Sequence, residues 1–419
     1  MVIEKGFSQR LDDKLTLKIA STKEEFNKIL ELNIKVHGDI IKSYIERIFL
    51  GHPNNNEIFW LYIEDKKQEK AVSALTLCPL AWRMGNQNIS VCEMAFVGTL
   101  KEYRSQGLIQ KLNILYEELM KEKKFLFSVI RGIPYYYRRF GYEYVLPLDE
   151  RILLPCQKVP KDELANLSIR KAEKKDIDFI SIHYNEFYKK YYITNKFDEA
   201  SFVFKFMNEK YDDNKRSCFI IEENNEPTSY FTFGKSYDGK GYQINVSSAN
   251  QELMIKIIQF VSKYYQENEE IHFYVRHDSM FGQFLIKIGG EKNFIYGWQV
   301  KVLDFNLLFK TLKPILERRL KNTIYEGMSR KIVISNYKIN IVLKFINGLI
   351  TNIQLDDGYP LEDRADVQIP SMALLKLLLG DNSIEEINFI IKDAMVKRES
   401  LSIINVLFPK KKSLPDSYY

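Results

Sequence analysis

The sequence predicts a mixed α/β (α+β) protein that is built from more than one domain. The chain has 419 residues, which is more than a single hydrophobic core usually serves. Up to about residue 305, runs rich in β-branched and aromatic residues alternate with amphipathic helical stretches. Beyond residue 305 the pattern changes to short strands joined by tight turns, followed by apolar helical stretches. The chain length, the alternation of strand-like and helical stretches, and the change of pattern after residue 305 together indicate several α/β units in tandem.

The first 150 residues are predicted to form one domain. Its elements, in chain order, are a strand at 15–19, a helix that starts at a capping box of Ser21 and Glu24, a helix over 40–49, and strands at 59–63, 71–82 and 89–97. The break between the second helix and the next strand is marked by Gly51-His52-Pro53. The order of these elements is strand, helices, three strands, helix, strand, short helix, strand.

The centre of this domain is the stretch that follows strand 89–97. A short turn contains Arg104-Ser105-Gln106-Gly107, and a helix over 108–120 follows at once, with leucines at 108, 112, 115 and 119 on one face. A helix N-terminus has unpaired N–H groups and a partial positive charge, so it can hold a phosphate. An ordinary strand–helix turn shows the same pattern, so this stretch alone does not decide its function.

A second motif follows the next predicted strand, at 125–130. It reads Tyr137-Arg138-Arg139-Phe140-Gly141-Tyr142. In this order, the two motifs resemble the GNAT superfamily of acetyl-CoA-dependent acyltransferases, in which an R-x-x-G-x-[GA] turn binds the CoA pyrophosphate and a YxxFGY/F element supplies a tyrosine beside the CoA sulfur. The resemblance implies that acetyl-CoA is bound by Val97, Thr99, Arg104, Ser105, Gln106, Gly107, Leu108 and Ile109. It implies that Tyr137 is the general acid, and that the backbone N–H near Val97 polarises the acetyl carbonyl.

Two positions depart from the general pattern of that superfamily. Ser105 stands where glycine is common, and Ile109 stands where glycine or alanine is usual. The variant R-x-x-G-L-[LI] is similar to the enhanced intracellular survival (Eis) branch. The resemblance implies tandem GNAT folds followed by a sterol-carrier-protein-like α+β domain. The expected domains are 1–150 (catalytic), 151–305 (degenerate GNAT) and 306–419 (sterol-carrier-protein-like).

The later regions fit this arrangement. Residues 169–172, followed by a helix from 174, echo the start of the first domain, and a strand at 242–246 precedes a helix over 251–265. The turn between them contains no R-x-x-G, so we expect the second domain to be structural. In the last region Asn347-Gly348 signals a hairpin, and helices are predicted at 371–379 and at about 384–396. We infer no sterol binding from this region.

Composition narrows the class of function. The chain is 45% hydrophobic and 28% charged, and its net charge of +6 is too small and too dispersed to indicate nucleic-acid binding. No apolar run approaches the roughly 20 residues of a membrane span, and the N-terminus lacks the apolar segment of a signal peptide. The cysteines show no C-x-x-C spacing and the histidines no metal-like grouping, so no metal is expected. We expect a cytoplasmic protein with neither nucleic-acid nor membrane partners, and a homo-oligomer is left open.

The function implied by the resemblance is N-acetyl transfer from acetyl-CoA to a primary amine, by direct attack in a ternary complex. The acceptor would be a small polyamine- or aminoglycoside-like cation, or a protein lysine. In Eis-like enzymes the chain's terminal carboxylate enters the active site, which would make Tyr419 the base; Glu93 is a second candidate, and Asp416 would add negative potential. The alternative is a non-catalytic protein that senses CoA, or that binds a lipid or a protein partner.

Overall fold

The structure is a computed structural model, and it describes residues 3–208, 216–236, 239–247, 250–267, 269–357 and 365–416. Within these ranges the chain forms a first lobe, a second lobe and a C-terminal unit. The predicted mixed α/β class is confirmed. A search of the described helices finds none with the length and apolar character of a membrane span.

The first lobe is a sheet with helices on its faces. Its strands are β1 (Ser8–Arg10), β2 (Leu15–Ile19), β3 (Phe59–Asp65), β4 (Lys70–Met84), β5 (Gln87–Thr99) and β6 (Phe127–Ile130). Its helices are α1 (Lys23–His37), α2 (Ile40–Gly51) and α3 (Leu108–Glu122). A long strand, β7 (Glu143–Pro155), leads out of it. The predicted strands and helices of this region are therefore present, with ends that differ by a few residues.

The second lobe repeats much of this order. Its strands are β8 (Leu167–Lys171), β9 (Ile193–Asn195), β10 (Ser217–Glu223), β11 (Glu226–Lys235), β12 (Tyr242–Val246), β13 (Glu270–Tyr274) and β14 (Glu291–Lys301). Its helices are α4 (Ile177–Tyr188), α5 (Glu199–Phe206), α6 (Gln251–Ser262) and α7 (Met280–Lys287). In both lobes a strand, a helix and a parallel strand follow one another, as β5–α3–β6 and as β12–α6–β13.

The two lobes share one continuous sheet because they exchange their last strands. Among the described residues the order is β1-β2-β3-β4-β5-β6-β14-β7-β13-β12-β11-β10-β8, with β9 on β4. Strand β14 of the second lobe thus pairs with β6, and β7 of the first lobe pairs with β13. The predicted boundary at 150/151 falls inside β7. Both domain boundaries, at 150/151 and at 305/306, stay predictions.

The C-terminal unit packs on the first lobe. It contains α8 (Phe305–Leu320), β15 (Arg330–Ser335), β16 (Ile339–Ile346), β17 (Leu349–Asp357), β18 (Val367–Gln368), α9 (Ser371–Leu378), α10 (Ile384–Ile390), β19 (Met395–Val396) and α11 (Leu401–Leu407). Strands β15 to β19 form a separate sheet in the order β17-β16-β15-β18-β19. Buried side chains of α8, α9 and α11 belong to the same hydrophobic cluster as the core of the first lobe.

Two local predictions are wrong. The capping box at the start of α1 is formed by Thr22 and Glu25 rather than by Ser21 and Glu24. The register is one residue later because Tyr62 and Lys18 also bind the Glu25 carboxylate. The helix predicted over about 384–396 ends at Ile390, because β19 pairs with β18 and this pairing overrides helix propensity.

Candidate active site

The predicted phosphate turn lies between β5 and α3. Gly107 is the N-cap of α3, with φ of 71° in the left-handed region and no side-chain cap. Ser105 also has a positive φ, of 63°. Two left-handed residues so close together curl the backbone around a concave surface at the start of the helix, where N–H groups gather. The positive φ also explains why glycine is common where this chain has Ser105.

The strands on either side of the site diverge. The parallel pairing of β5 with β6 runs from Val91 opposite Phe127 to Glu93 opposite Val129. The residues that come next on both strands, 94–99 and 130–133, line one cavity of about 1090 Å³. A gap between diverging parallel strands gives a ligand access to backbone groups that would otherwise be paired within the sheet.

A bulge in β5 shapes the same wall. Ala74 of β4 lies opposite Gly98, and Thr76 lies opposite Ala95, so a single β4 residue faces two residues of β5. Those two are Phe96, with φ of 50°, and Val97, and both line the cavity. A β-bulge changes the direction of the backbone at the inserted residue. Val97, the predicted carbonyl-polarising position, therefore lies in backbone that is turned relative to the rest of the strand.

Tyr137 lies on the opposite side of this gap, in a 3₁₀ turn at Tyr136–Phe140. It is buried, and its ring packs edge-on against Tyr142 with 6.1 Å between ring centroids. A β-carbon on Gly132 would lie 2.1 Å from the Tyr137 ring, so only glycine leaves room for the ring at that position. The Gly132 carbonyl accepts hydrogen bonds from Tyr296 and from Gln299 of β14. The exchanged strand thus fixes the loop against which Tyr137 rests.

The electrostatics of Tyr137 suit a proton donor. Burial raises the pKa of its phenol, and the nearby Tyr136 adds to the rise. The phenol therefore keeps its proton at neutral pH. It also lines the cavity together with the residues of the phosphate turn.

The C-terminal segment runs into the cavity along β9. Leu414 exchanges bonds with Ile193 and Thr194. The Asp416 carbonyl accepts from the Trp82 indole N–H at 3.0 Å and from Asn195 Nδ2 at 2.8 Å. Asp416 lines the cavity. Tyr419, the predicted base, lies outside the described residues.

Two titratable groups of the first lobe also face the cavity. Glu93 is buried, and its Oε1 accepts from Arg131 Nε at 3.0 Å. His37 lies at the rim; desolvation lowers the pKa of its ring, and a hydrogen bond to the backbone of Val97 opposes this shift. Sequence reasoning did not single out His37, because no motif contains it.

The second lobe supplies a wall that the motifs do not reveal. Lys205, on α5, and Arg216 are both buried, and Lys205 Nζ lies 3.0 Å from Asp416 Oδ2. Arg47 of α2, also buried, donates to the Lys205 carbonyl at 3.0 Å and so ties the two lobes together at the cavity. These contacts join residues more than 150 positions apart, and no local pattern in the sequence indicates them.

Most predicted site residues therefore meet at one cavity. Lining residues that were predicted are Val97, Thr99, Arg104, Ser105, Gly107, Leu108, Ile109, Tyr137, Glu93 and Asp416. Gln106 differs, since its side chain donates to the Glu102 carbonyl at 3.3 Å. Arg104 Nε donates to the Thr99 carbonyl at 3.2 Å, which braces the turn.

Comparisons with known proteins agree with this geometry. Residues 19–145 match the family described as an acetyltransferase (GNAT) domain. No curated protein matches the chain in sequence. A probable N-acyltransferase from Enterococcus faecalis V583 has a similar structure, with a TM-score of 0.70, 12% identity and coverage of 97% of this chain and 100% of that one.

Two further solved structures are similar over nearly the full length. A GCN5-related N-acetyltransferase from Anabaena variabilis ATCC 29413 has a TM-score of 0.66 and 14% identity, covering 95% of this chain and 99% of that one. Eis1 from Mycobacterium abscessus has a TM-score of 0.59 and 9% identity, and the match covers 97% of this chain and 99% of that one. The chain therefore has a GNAT fold, with a sequence match to that family over residues 19–145 and a structural likeness to an Eis protein over nearly its whole length.

Proposed function

We propose that the chain is an N-acetyltransferase that moves an acetyl group from acetyl-CoA to a primary amine. One observation carries this proposal: the uncapped start of α3 and the phenol of Tyr137 face the same cavity, on the two sides of the gap between β5 and β6. The first suits a pyrophosphate, and the second suits a leaving thiolate. Arg104, at the mouth of the turn, adds positive charge for the coenzyme phosphates.

The chemistry follows from this placement. The amine nitrogen attacks the thioester carbonyl carbon, a C–N bond forms, and the C–S bond breaks with its electron pair going to sulfur. Tyr137 donates its proton to that sulfur, and the amine loses a proton to a base. The bulged backbone at Val97 would polarise the acetyl oxygen through an N–H, which in other enzymes contributes several kcal/mol.

Three groups are candidates for the base that accepts the proton of the amine. Glu93 faces the cavity but is held by Arg131, so it would serve best by orienting the ammonium and passing its proton on. His37 is neutral at pH 7 because its pKa is lowered, and a neutral imidazole can accept a proton. The carboxylate of Tyr419 stays a prediction; support for it is that Asp416, three residues earlier, is held at the cavity by Trp82 and Asn195.

The Eis-like architecture is part of the same proposal. The second lobe would be a GNAT fold without a coenzyme site, and the region from about residue 306 a sterol-carrier-protein-like domain that completes the active site. Support comes from the repeated strand–helix–strand order and from the C-terminal segment that ends its described course at the cavity. An acceptor of polyamine or aminoglycoside type, or a protein lysine, is part of the same proposal.

The test is acetyl-CoA turnover, followed as thiol release, against a panel of primary amines. Tyr137→Phe removes the proton donor and keeps the ring, so we expect kcat to fall by about 100-fold or more while the KM for acetyl-CoA changes little. Tyr135→Phe is the matched control, because Tyr135 lies two residues before Tyr137 and its side chain is 77% exposed. It should leave kcat unchanged.

Two outcomes would contradict the proposal. An unchanged kcat in Tyr137→Phe would remove the general acid from the mechanism. Wild-type protein that binds CoA and acetylates no amine in the panel would favour the non-catalytic alternative, in which the same cavity serves as a CoA sensor.

A further inference from the structure

A line of hydrogen-bonded side chains lies where β5 and β6 begin to diverge. Tyr116 Oη lies 3.3 Å from Cys92 Sγ and 2.7 Å from Ser128 Oγ, and Ser128 Oγ lies 2.8 Å from Tyr142 Oη. We call these four residues the buried network. Cys92 of β5 and Ser128 of β6 lie opposite each other in the strand pairing, one position before its last pair. The buried network therefore lies at the end of the paired region, next to the gap that the cavity enters.

Ser128 is the centre of the buried network because it is bonded to both tyrosines. Tyr116 is in α3 and continues the network to Cys92. Tyr142 comes two residues after the 3₁₀ turn that contains Tyr137. The proposed mechanism uses none of these four side chains, although Tyr142 belongs to the same sequence motif as Tyr137.

Tyr142 also contacts the proposed general acid directly. Its backbone N–H donates to the Tyr137 carbonyl at 3.2 Å, and the two rings pack edge-on with 6.1 Å between their centroids. Tyr136 and Phe140, whose rings also contact Tyr137, belong to the same short turn as Tyr137. The bond from Tyr142 to Ser128 therefore ties the Tyr137 turn to β6.

The buried network is isolated from solvent and uncharged. All four residues are fully buried, and none is among the described residues that line the cavity. Burial raises the pKa of the Cys92 thiol to about 12, and it also raises the pKa of Tyr116 and of Tyr142. Each group therefore keeps its proton at neutral pH and can both donate and accept. A buried network whose members are all bonded favours one arrangement of its side chains.

We propose that Ser128 and Tyr142 are positioning residues, whose hydrogen bond holds the Tyr137 phenol in the orientation from which it donates to the leaving thiolate. This inference rests on the proposed acetyl transfer and adds two residues that lie outside the cavity lining. Without the bond, the Tyr142 ring is free to shift, and Tyr137 loses a fixed surface against which to pack. Proton donation needs the donor within hydrogen-bond reach, so a small displacement slows the chemical step and leaves coenzyme binding at the start of α3 intact.

The first experiment measures kcat and the KM for acetyl-CoA in Tyr142→Phe, which removes one hydroxyl group and keeps the ring. We expect kcat to fall by about tenfold, with a KM for acetyl-CoA within about twofold of the wild type. Tyr116→Phe is the matched control, because it also removes one buried hydroxyl bonded to Ser128 but keeps the bond between Ser128 and Tyr142. Both variants should unfold at a lower urea concentration, and Tyr116→Phe should keep the wild-type kcat. An equal loss of kcat in the two variants would reduce the bond to a purely structural role and overturn the inference.

Double variants show whether Tyr142 acts through Tyr137. Tyr137→Phe with Tyr142→Phe should have the same kcat as Tyr137→Phe alone, because the group that Tyr142 positions is already absent. Ser128→Ala removes the same bond from its other end, so its combination with Tyr142→Phe should lower kcat no further than the more affected single variant. Losses that multiply in either pair would mean that Tyr142 affects the rate by another route.

A structural readout separates this inference from the proposed function. In crystal structures, Tyr137 Oη should be displaced by about 1 Å or more in Tyr142→Phe, relative to the wild type, and should keep its place in Tyr116→Phe. An unmoved Tyr137 in Tyr142→Phe, together with a low kcat in Tyr137→Phe, overturns the positioning and leaves the general acid standing. A displaced Tyr137 together with full kcat in Tyr137→Phe supports the positioning and removes the general acid. An unmoved Tyr137 with full kcat in Tyr137→Phe overturns both.

Discussion

The two lobes contain the same strand–helix–strand unit, yet the helices begin in opposite ways. In the first lobe, α3 begins at Gly107, a left-handed N-cap without a side-chain bond. In the second lobe, α6 begins at Asn250, whose side-chain oxygen accepts from the N–H groups of Glu252 at 2.8 Å and of Leu253 at 3.4 Å. In α6 the first N–H groups are therefore occupied by the side chain of its own N-cap residue.

This contrast is the reason we propose an anion site at the start of α3 and none at the start of α6. Every helix offers N–H groups and a dipole at its N-terminus, but a side-chain cap occupies some of these groups. In the first lobe the groups remain available at a cavity whose opposite side holds Tyr137. Loss of coenzyme binding in the second lobe would thus be a change of cap as well as a loss of arginine.

The largest effect is expected when the first lobe is given an acidic cap. Gly107→Asp places a carboxylate where the pyrophosphate is proposed to lie, so we expect the KM for acetyl-CoA to rise by about 100-fold or more, measured by thiol release. Aspartate is a favoured N-cap and tolerates a left-handed φ, so folding should be preserved. An unchanged KM would show that the start of α3 does not bind the coenzyme.

A smaller effect is expected at the glycine beneath Tyr137. Gly132→Ala puts a methyl group into space that the Tyr137 ring occupies, so the ring has to move. Displacement of a catalytic group by about 1 Å can lower a rate by about 100-fold, and we expect kcat to fall by at least about tenfold with a smaller change in the KM for acetyl-CoA. If the Gly132→Ala variant has the same Tm as the wild type and also keeps the wild-type kcat, then this loop does not position Tyr137.

The smallest effect is expected in the second lobe. Asn250→Ala removes the cap of α6 and should lower the free energy of unfolding by about 1 kcal/mol, as measured by urea denaturation. Acetyl-CoA turnover measured below the transition should be unchanged. A shift in the KM for acetyl-CoA would mean that this helix start takes part in coenzyme binding after all.

Sequence alone predicted the features that depend on neighbouring residues. The strand before the turn and the helix after it follow from periodicity, and both are present near their predicted bounds. The same reasoning took Ser105 as a departure from the family pattern. The structure gives the physical reason for that position, which is a positive φ.

Sequence could not predict what long-range packing decides. The exchange of β7 and β14 depends on pairings such as Gln299 with Ile130, which no local pattern encodes. The approach of α2 to α5 is likewise a long-range contact, in which buried Arg47 donates to the Lys205 carbonyl at 3.0 Å.

Calorimetric titration of the full chain with CoA tests the central contrast most directly. We expect one site per chain in the wild type, one site in Asn250→Ala, and greatly weakened binding in Gly107→Asp. Two sites per chain, or binding by Gly107→Asp that equals the wild type, would contradict it.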